Sequence, residues 1–138
     1  MTILDELYAL ADAEDIQVLC WDLPAARCLA VQHDGGGCSI GIDPMYIDSY
    51  EEEAELLAHE LGHCMTGSFY NRASPLDVRQ KHENHADYWM ITHLAPADKL
   101  ARLMGQGQTE AWQLAESLGV SQSLVEKALR LYASKSML

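Results

Sequence analysis

The sequence has few basic residues, few aromatic residues and no long apolar run. Its 138 residues include 9 Lys and Arg against 21 Asp and Glu, a net charge of −12, and a single Phe. Nucleic-acid-binding proteins usually carry a basic face, so direct DNA binding is not expected. No apolar run approaches the roughly 20 residues of a membrane span, and the N-terminus lacks a basic and then apolar leader pattern. We therefore expect a cytoplasmic protein that is neither exported nor membrane-embedded.

Closely spaced cysteine pairs are also lacking. No CxxC suggests a zinc ribbon or a redox motif, because the four cysteines are irregularly spaced at Cys20, Cys28, Cys38 and Cys64. A chain of this length with 49% hydrophobic residues forms a core without disulfides. We expect reduced, mostly buried thiols. Cys64 is not expected to be a metal ligand, because on a helix it points about 100° away from its neighbour His63.

Acidic residues are concentrated in the first part of the chain. Residues 1–60 carry fourteen Asp and Glu and one basic residue, Arg27, whereas residues 61–138 carry seven acidic and eight basic residues. A solvated surface that aids solubility explains this pattern. Attraction to a basic protein partner is the alternative explanation.

Local signals predict a small sheet among helices. Thr2 and Asp5 form a capping-box pattern before a helix over 3–13. Three β-prone runs follow, and a glycine-rich turn between the last two predicts an antiparallel hairpin. Ser49 with Glu52 caps the next helix, and Gly67 ends it. Four more helices are predicted over 75–94, 97–104, 109–118 and 121–133.

We therefore predict an α+β fold in which a small antiparallel sheet packs on two metal-bearing helices. Residues 1–108 are predicted to form a metallopeptidase-like domain. A C-terminal pair of helices, residues 109–138, is expected to pack on it.

The segment HELGH places two histidines on one face of the second helix. His59 and His63 are four residues apart, so their imidazoles project to the same side and can bind one ion. Glu60 follows the first histidine; in such sites this glutamate is not a ligand but takes a proton from the attacking water. The alternative is a pair of hydrogen-bonded core histidines.

A catalytic zinc site needs a third protein ligand, and the following helix offers His82, Glu83, His85 and Asp87. Glu83 lies at the centre of an apolar helix face, while His82 and His85 are turned away from it by about 100° and 160°. A glutamate on an apolar face needs a compensating partner, for which a metal ion is well suited. Asp87, one turn on, is placed to accept a proton from the outer nitrogen of a ligand histidine. That face is formed by Leu76, Ala86, Asp87, Met90 and Leu94.

HExxH followed some twenty residues later by ExxxD resembles the gluzincin peptidases. The HELGH helix, the ENHAD helix with its LAP end and the preceding strands resemble, over roughly 28–96, the ImmA/IrrE family of metallopeptidases, which phages and mobile elements often encode. The resemblance implies His59, His63 and Glu83 as Zn²⁺ ligands and Glu60 as general base. It also implies a protein substrate, a helix-turn-helix repressor that keeps a mobile element or stress response silent.

Three further features have two explanations each. Tyr70, between the two metal helices, is a possible oxyanion stabiliser or a packed loop hydroxyl. The strand SIGID could bind substrate by edge pairing or pair only within its own sheet. The C-terminal helices resemble a helix-turn-helix, although a structural cap or a substrate-docking surface fits better, because the would-be recognition helix is nearly neutral.

The sequence thus predicts a zinc endopeptidase that cleaves a peptide bond in a repressor. The alternative is a non-catalytic regulator that contains zinc and binds a transcription factor or toxin. Retention of Glu60 favours the enzyme, because a structural zinc site does not require that residue.

Overall fold

The computed structural model describes residues 2–23, 26–71 and 73–136 and has an α+β fold. Its strands are β1 (Gln17–Cys20), β2 (Cys28–Gln32) and β3 (Cys38–Ile42), followed by a short 3₁₀ turn at Pro44–Tyr46. The helices, in chain order, are α1 (Ile3–Ala13), α2 (Tyr50–Thr66), α3 (Leu76–Leu94), α4 (Ala97–Gly105), α5 (Ala111–Leu118) and α6 (Gln122–Ser134). The predicted helices are all present, with ends within about two residues of those expected.

The predicted capping residues are found at the start of the first two helices. The Thr2 hydroxyl accepts a hydrogen bond from the Asp5 backbone N–H, and the Asp5 carboxylate accepts one from the Thr2 N–H. Ser49 accepts from the Glu52 N–H at the start of α2. That helix ends at Gly67, whose φ of 65° is a left-handed conformation that glycine adopts without steric cost.

The sheet is mixed rather than antiparallel, which corrects one prediction. The hairpin of β2 and β3 is antiparallel, as expected, but β1 pairs in parallel with β3, in the order β1-β3-β2. Sequence reasoning considered strands that follow one another, whereas β3 inserts between two strands that precede it. The central position of β3 agrees with its apolar side chains, since Ile40 and Ile42 are almost fully buried.

Two compact units make up the chain, residues 1–90 and 91–138. The first has its core between the sheet and helices α1 and α2, around Ile40, Leu57 and Leu61. In the second, the buried Tyr132 donates a hydrogen bond to the Ala95 carbonyl at 2.7 Å. The division into a domain at 1–108 and a helical pair at 109–138 stays a prediction. Among the described helices, none combines the length and apolarity that a membrane crossing requires.

Two of the cysteines form a disulfide, which corrects the expectation of four free thiols. Cys38 on β3 and Cys64 on α2 are bonded, with their Cα atoms 5.8 Å apart. Irregular spacing along the chain gave no sign of this pair, because only the packing of α2 on the sheet brings the two residues together. Cys20 and Cys28 are free, the first exposed and the second buried.

Candidate metal centre

Helix α2 places its two histidines one turn apart, with their rings edge to face. The ring centroids of His59 and His63 are 4.9 Å apart, with an interplanar angle of 84°. The side chain of His63 is only 8% exposed and that of His59 is 21% exposed. Both rings are therefore held within the packed structure while one edge of each remains available.

Hydrogen bonds on the Nδ1 side orient both rings. Nδ1 of His59 lies 2.8 Å from a carboxylate oxygen of Asp87, the contact expected from the helical spacing. Nδ1 of His63 lies 2.5 Å from the backbone carbonyl of Ser68, so this nitrogen carries the proton and donates it. With Nδ1 engaged in this way, Nε2 is the atom that each histidine can offer to a metal ion.

Glu83 on α3 faces both of these nitrogens. Its Oε2 lies 2.9 Å from Nε2 of His59, and its Oε1 lies 3.2 Å from Nε2 of His63. Two ligands bound to one tetrahedral zinc at ~2.0–2.1 Å lie ~3.3 Å apart, so the observed separations suit a common ion. Within the described residues, His59, His63 and Glu83 are the one group whose ligand atoms could hold a metal ion.

The other candidate histidines on α3 have different contacts. Nδ1 of His85 lies 3.1 Å from the Ser68 hydroxyl, and the ring of His82 stacks on Tyr70 with centroids 6.2 Å apart. Neither belongs to the metal-ligand group. The helix face predicted to be apolar is buried at Ala86, Met90 and Leu94 but exposed at Leu76, in the first turn of α3.

Nearby carboxylates, chiefly that of Asp87, raise the pKa of His59. Burial disfavours its charged form, but the hydrogen bond and charge of Asp87, together with the charges of Glu60 and Glu83, raise the pKa of His59 to about 8. The local field of the site therefore favours a cation. A metal ion satisfies the same field.

Glu60 lies beside the ligand group without belonging to it. It lines a cleft of about 260 Å³ together with His63 and Glu83. Ala30 on β2 lines the same cleft, and its backbone N–H favours the charged form of Glu60. Burial raises the pKa of Glu60; the charges of His59 and His63 oppose this effect, and the charge of Glu83 adds to it. A raised pKa makes a carboxylate a stronger base than an ordinary glutamate, which suits a proton acceptor.

Tyr70 occupies the rim of the same cleft. Its hydroxyl donates a hydrogen bond to Oε1 of Glu83 at 2.7 Å, and this bond is the main cause of a raised Tyr70 pKa. The hydroxyl is thus directed at a ligand carboxylate. Its assignment as an oxyanion stabiliser stays a prediction.

The strand edge next to the cleft belongs to β2, not to β3. The SIGID strand is β3, which is central and pairs on both sides within its own sheet, so it offers no free edge to a substrate. The Arg27 carbonyl accepts a hydrogen bond from the Asp43 N–H, and the His33 N–H donates one to the Gly37 carbonyl. In an antiparallel pair every second residue bonds to the partner strand, so Leu29 and Val31 bond to β3 as well. The remaining backbone groups on β2 therefore point to its unpaired edge, as far as the described residues show, and they belong to Cys28, Ala30 and Gln32.

Two residues of the site were missed by sequence reasoning. Ser68, 2% exposed, orients His63 through its backbone carbonyl, a role that leaves no trace in residue type. Gly62, within HELGH, faces the backbone of Ala86 and allows α2 and α3 to approach each other. Comparisons with models of known families, with curated proteins and with solved structures find no match to this chain.

Proposed function

We propose that this chain is a zinc-dependent endopeptidase. The observation that carries the proposal is the position of Glu60, a carboxylate that is outside the ligand group and lines the same cleft as Ala30 on the edge strand β2. A site that held zinc only for structure would need four protein ligands and no such base. The described residues supply three ligands, which leaves a coordination position for chemistry.

Each residue of the site has a definite task in peptide hydrolysis. His59, His63 and Glu83 would hold the zinc ion, which supplies Lewis acidity for polarising a carbonyl and activating water. Glu60 accepts the proton of the attacking water and then delivers it to the leaving amine. Asp87 and the Ser68 carbonyl keep both imidazoles oriented throughout.

A peptide substrate has a natural place along β2. The backbone groups of Cys28, Ala30 and Gln32 can pair with an extended chain, which would then lie beside Glu60. The motif resemblance to the ImmA/IrrE family supports a helix-turn-helix repressor of a phage or mobile element as the substrate. The same resemblance supports a cytoplasmic setting.

The experiment that tests this function uses the repressor encoded beside the gene for this chain. The zinc-loaded protein is incubated with that repressor, and the products are examined by intact-mass spectrometry. One discrete cut that a metal chelator prevents is the expected result. An uncut repressor that nevertheless co-purifies with the protein would favour the non-catalytic regulator instead.

A further inference from the structure

Two half-exposed apolar side chains lie beside the cleft on the outer face of the sheet. Leu29 and Val31 are each 46% exposed and belong to β2, the strand with the unpaired edge. Leu29 also lines the cleft that contains Glu60. Neither residue takes part in the chemistry proposed above. They are placed to contact whatever pairs with this edge.

The register of β2 determines how such a partner would meet them. Because Leu29 and Val31 use their backbone groups to bond β3, they would form non-hydrogen-bonded pairs with an antiparallel chain on the other edge. Opposed Cα atoms in such pairs are ~4.5 Å apart, compared with ~5.5 Å in hydrogen-bonded pairs, so their side chains approach more closely. Side chains opposite Leu29 and Val31 would project to the same outer face.

The residue between those two positions would point the other way. Side chains alternate along a strand, so the residue opposite Ala30 would face α2 and the cleft with Glu60. An extended segment would thus present one side chain to the metal centre and its two neighbours to Leu29 and Val31. Apolar cross-strand pairs are favourable, whereas a charged side chain against an apolar one loses hydration.

Resting on the proposed peptidase function, we propose that Leu29 and Val31 are specificity-determining residues. They select an extended segment that has apolar residues at two positions separated by one residue. The charge of the chain adds to this choice, because residues 1–60, which include the sheet, carry fourteen acidic side chains and one basic side chain. The preferred segment therefore has apolar residues at every second position, with neutral or basic residues, and not acidic ones, between them.

The test measures binding separately from cleavage. The zinc-loaded Glu60→Gln protein is titrated into two labelled peptides of about ten residues, and binding is followed by fluorescence anisotropy. One peptide has valine at every second position, with serine between and lysine at both ends. The other has valine at every third position, so that no two valines are separated by one residue. We expect the first peptide to bind about tenfold more tightly.

A matched pair of variants assigns the preference to the two side chains. Replacing Leu29 and Val31 together by threonine keeps residues that favour strands and should reduce the difference between the peptides to nearly nothing. Leu19→Thr is the control, since Leu19 is 39% exposed and lies on the same face, across Gly41, but on β1. That variant should keep the full preference.

Equal binding of the two peptides, absence of binding to both, or an unchanged preference in the double variant would overturn the proposal. A loss of preference in Leu19→Thr as large as in the double variant would also overturn the proposal. The peptide comparison needs no substitution in the sheet, so it decides the matter even if the double variant does not fold. A preference in binding without any cleavage by the Glu60-containing protein would contradict the peptidase function alone, and cleavage without preference would contradict this inference alone.

Discussion

Gly62 on α2 lies against the backbone of Ala86 on α3, and no side chain fits between them. A Cβ atom at position 62 would lie 2.6 Å from the Ala86 carbonyl oxygen and 3.0 Å from its Cα. Ala86 stands between Glu83 and Asp87, the two α3 residues that contact His59. We expect this close contact between the two helices to help fix the distance between the carboxylates and His59.

Gly62→Ala should accordingly separate the helices. We expect the free energy of unfolding to fall by about 1–3 kcal/mol and the zinc affinity to decrease. The added Cβ would meet backbone atoms of Ala86, so the backbone of α3 would have to move to relieve the overlap. Chemical denaturation and competition with a zinc chelator measure the two effects. Gly105→Ala is the control, since an added Cβ there meets nothing within 4 Å. A Gly62→Ala protein with the stability and zinc affinity of the parent would show that the contact is not limiting.

Metal content should depend on the residues that converge and not on their neighbours. The purified protein should hold about one zinc per chain, and His63→Ala or Glu83→Ala should remove most of it. Asp87→Ala should weaken binding by about 10–100-fold, because it releases the ring of His59. His85→Ala should keep the metal, since its contact is to Ser68. Metal analysis after dialysis checks all four, and full zinc in Glu83→Ala would mean that another residue is the third ligand.

Glu60→Gln should separate catalysis from metal binding. Glutamine keeps the shape of the side chain, and Glu60 is not in the ligand group, so folding and zinc content should match the parent. Without the proton acceptor, cleavage of the repressor should fall by about a hundredfold to ten-thousandfold while binding to it survives. Single-turnover cleavage and a pull-down measure the two effects. Normal release of the target by this variant in cells would contradict the enzymatic function.

Reduction of the Cys38–Cys64 disulfide should destabilise the protein. Closing a chain segment of 26 residues restricts the unfolded state, which corresponds to about 3–4 kcal/mol of stability. Urea denaturation with and without a phosphine reductant measures this difference. Cys20→Ser serves as the control, because Cys20 is free and exposed. Four alkylatable thiols in the unreduced, unfolded protein would contradict the disulfide.

The α5–α6 pair should not bind DNA specifically at physiological salt. The exposed start of α6 is nearly neutral, and the Gln122 amide donates a hydrogen bond to the Glu126 carboxylate at 3.1 Å. Few groups are left to contact phosphates. A nuclease footprint at nanomolar protein that disappears when Gln122 and Lys127 are replaced would contradict this expectation.

Local chemistry made much of this structure predictable. Caps at Thr2 and Ser49 and the stop at Gly67 are properties of short segments, so the helix bounds followed from the sequence. The 100° rotation per residue likewise singled out Glu83 over His82 and His85 as the α3 residue that faces the histidine pair. The directions of side chains on one helix could be compared because the helix geometry fixes the angle between them.

Long-range pairing was not predictable in the same way. The parallel contact of β1 with β3 depends on which strand enters the centre of the sheet, and this order is not encoded in any one strand. The Cys38–Cys64 bond depends on the same packing. The contribution of Ser68 comes from a backbone carbonyl that every residue type possesses, so no pattern of side chains could indicate it.

The disulfide also has a topological consequence. Bonding Cys38 to Cys64 closes a covalent ring that contains His59, Glu60 and His63, whereas Glu83 lies on the chain outside it. A single backbone cut anywhere within the ring would leave both pieces attached to each other. If the protein cleaves itself or is nicked at the exposed 3₁₀ turn around Met45, the HELGH segment stays tethered to β3, and the nick becomes visible as two fragments only after reduction.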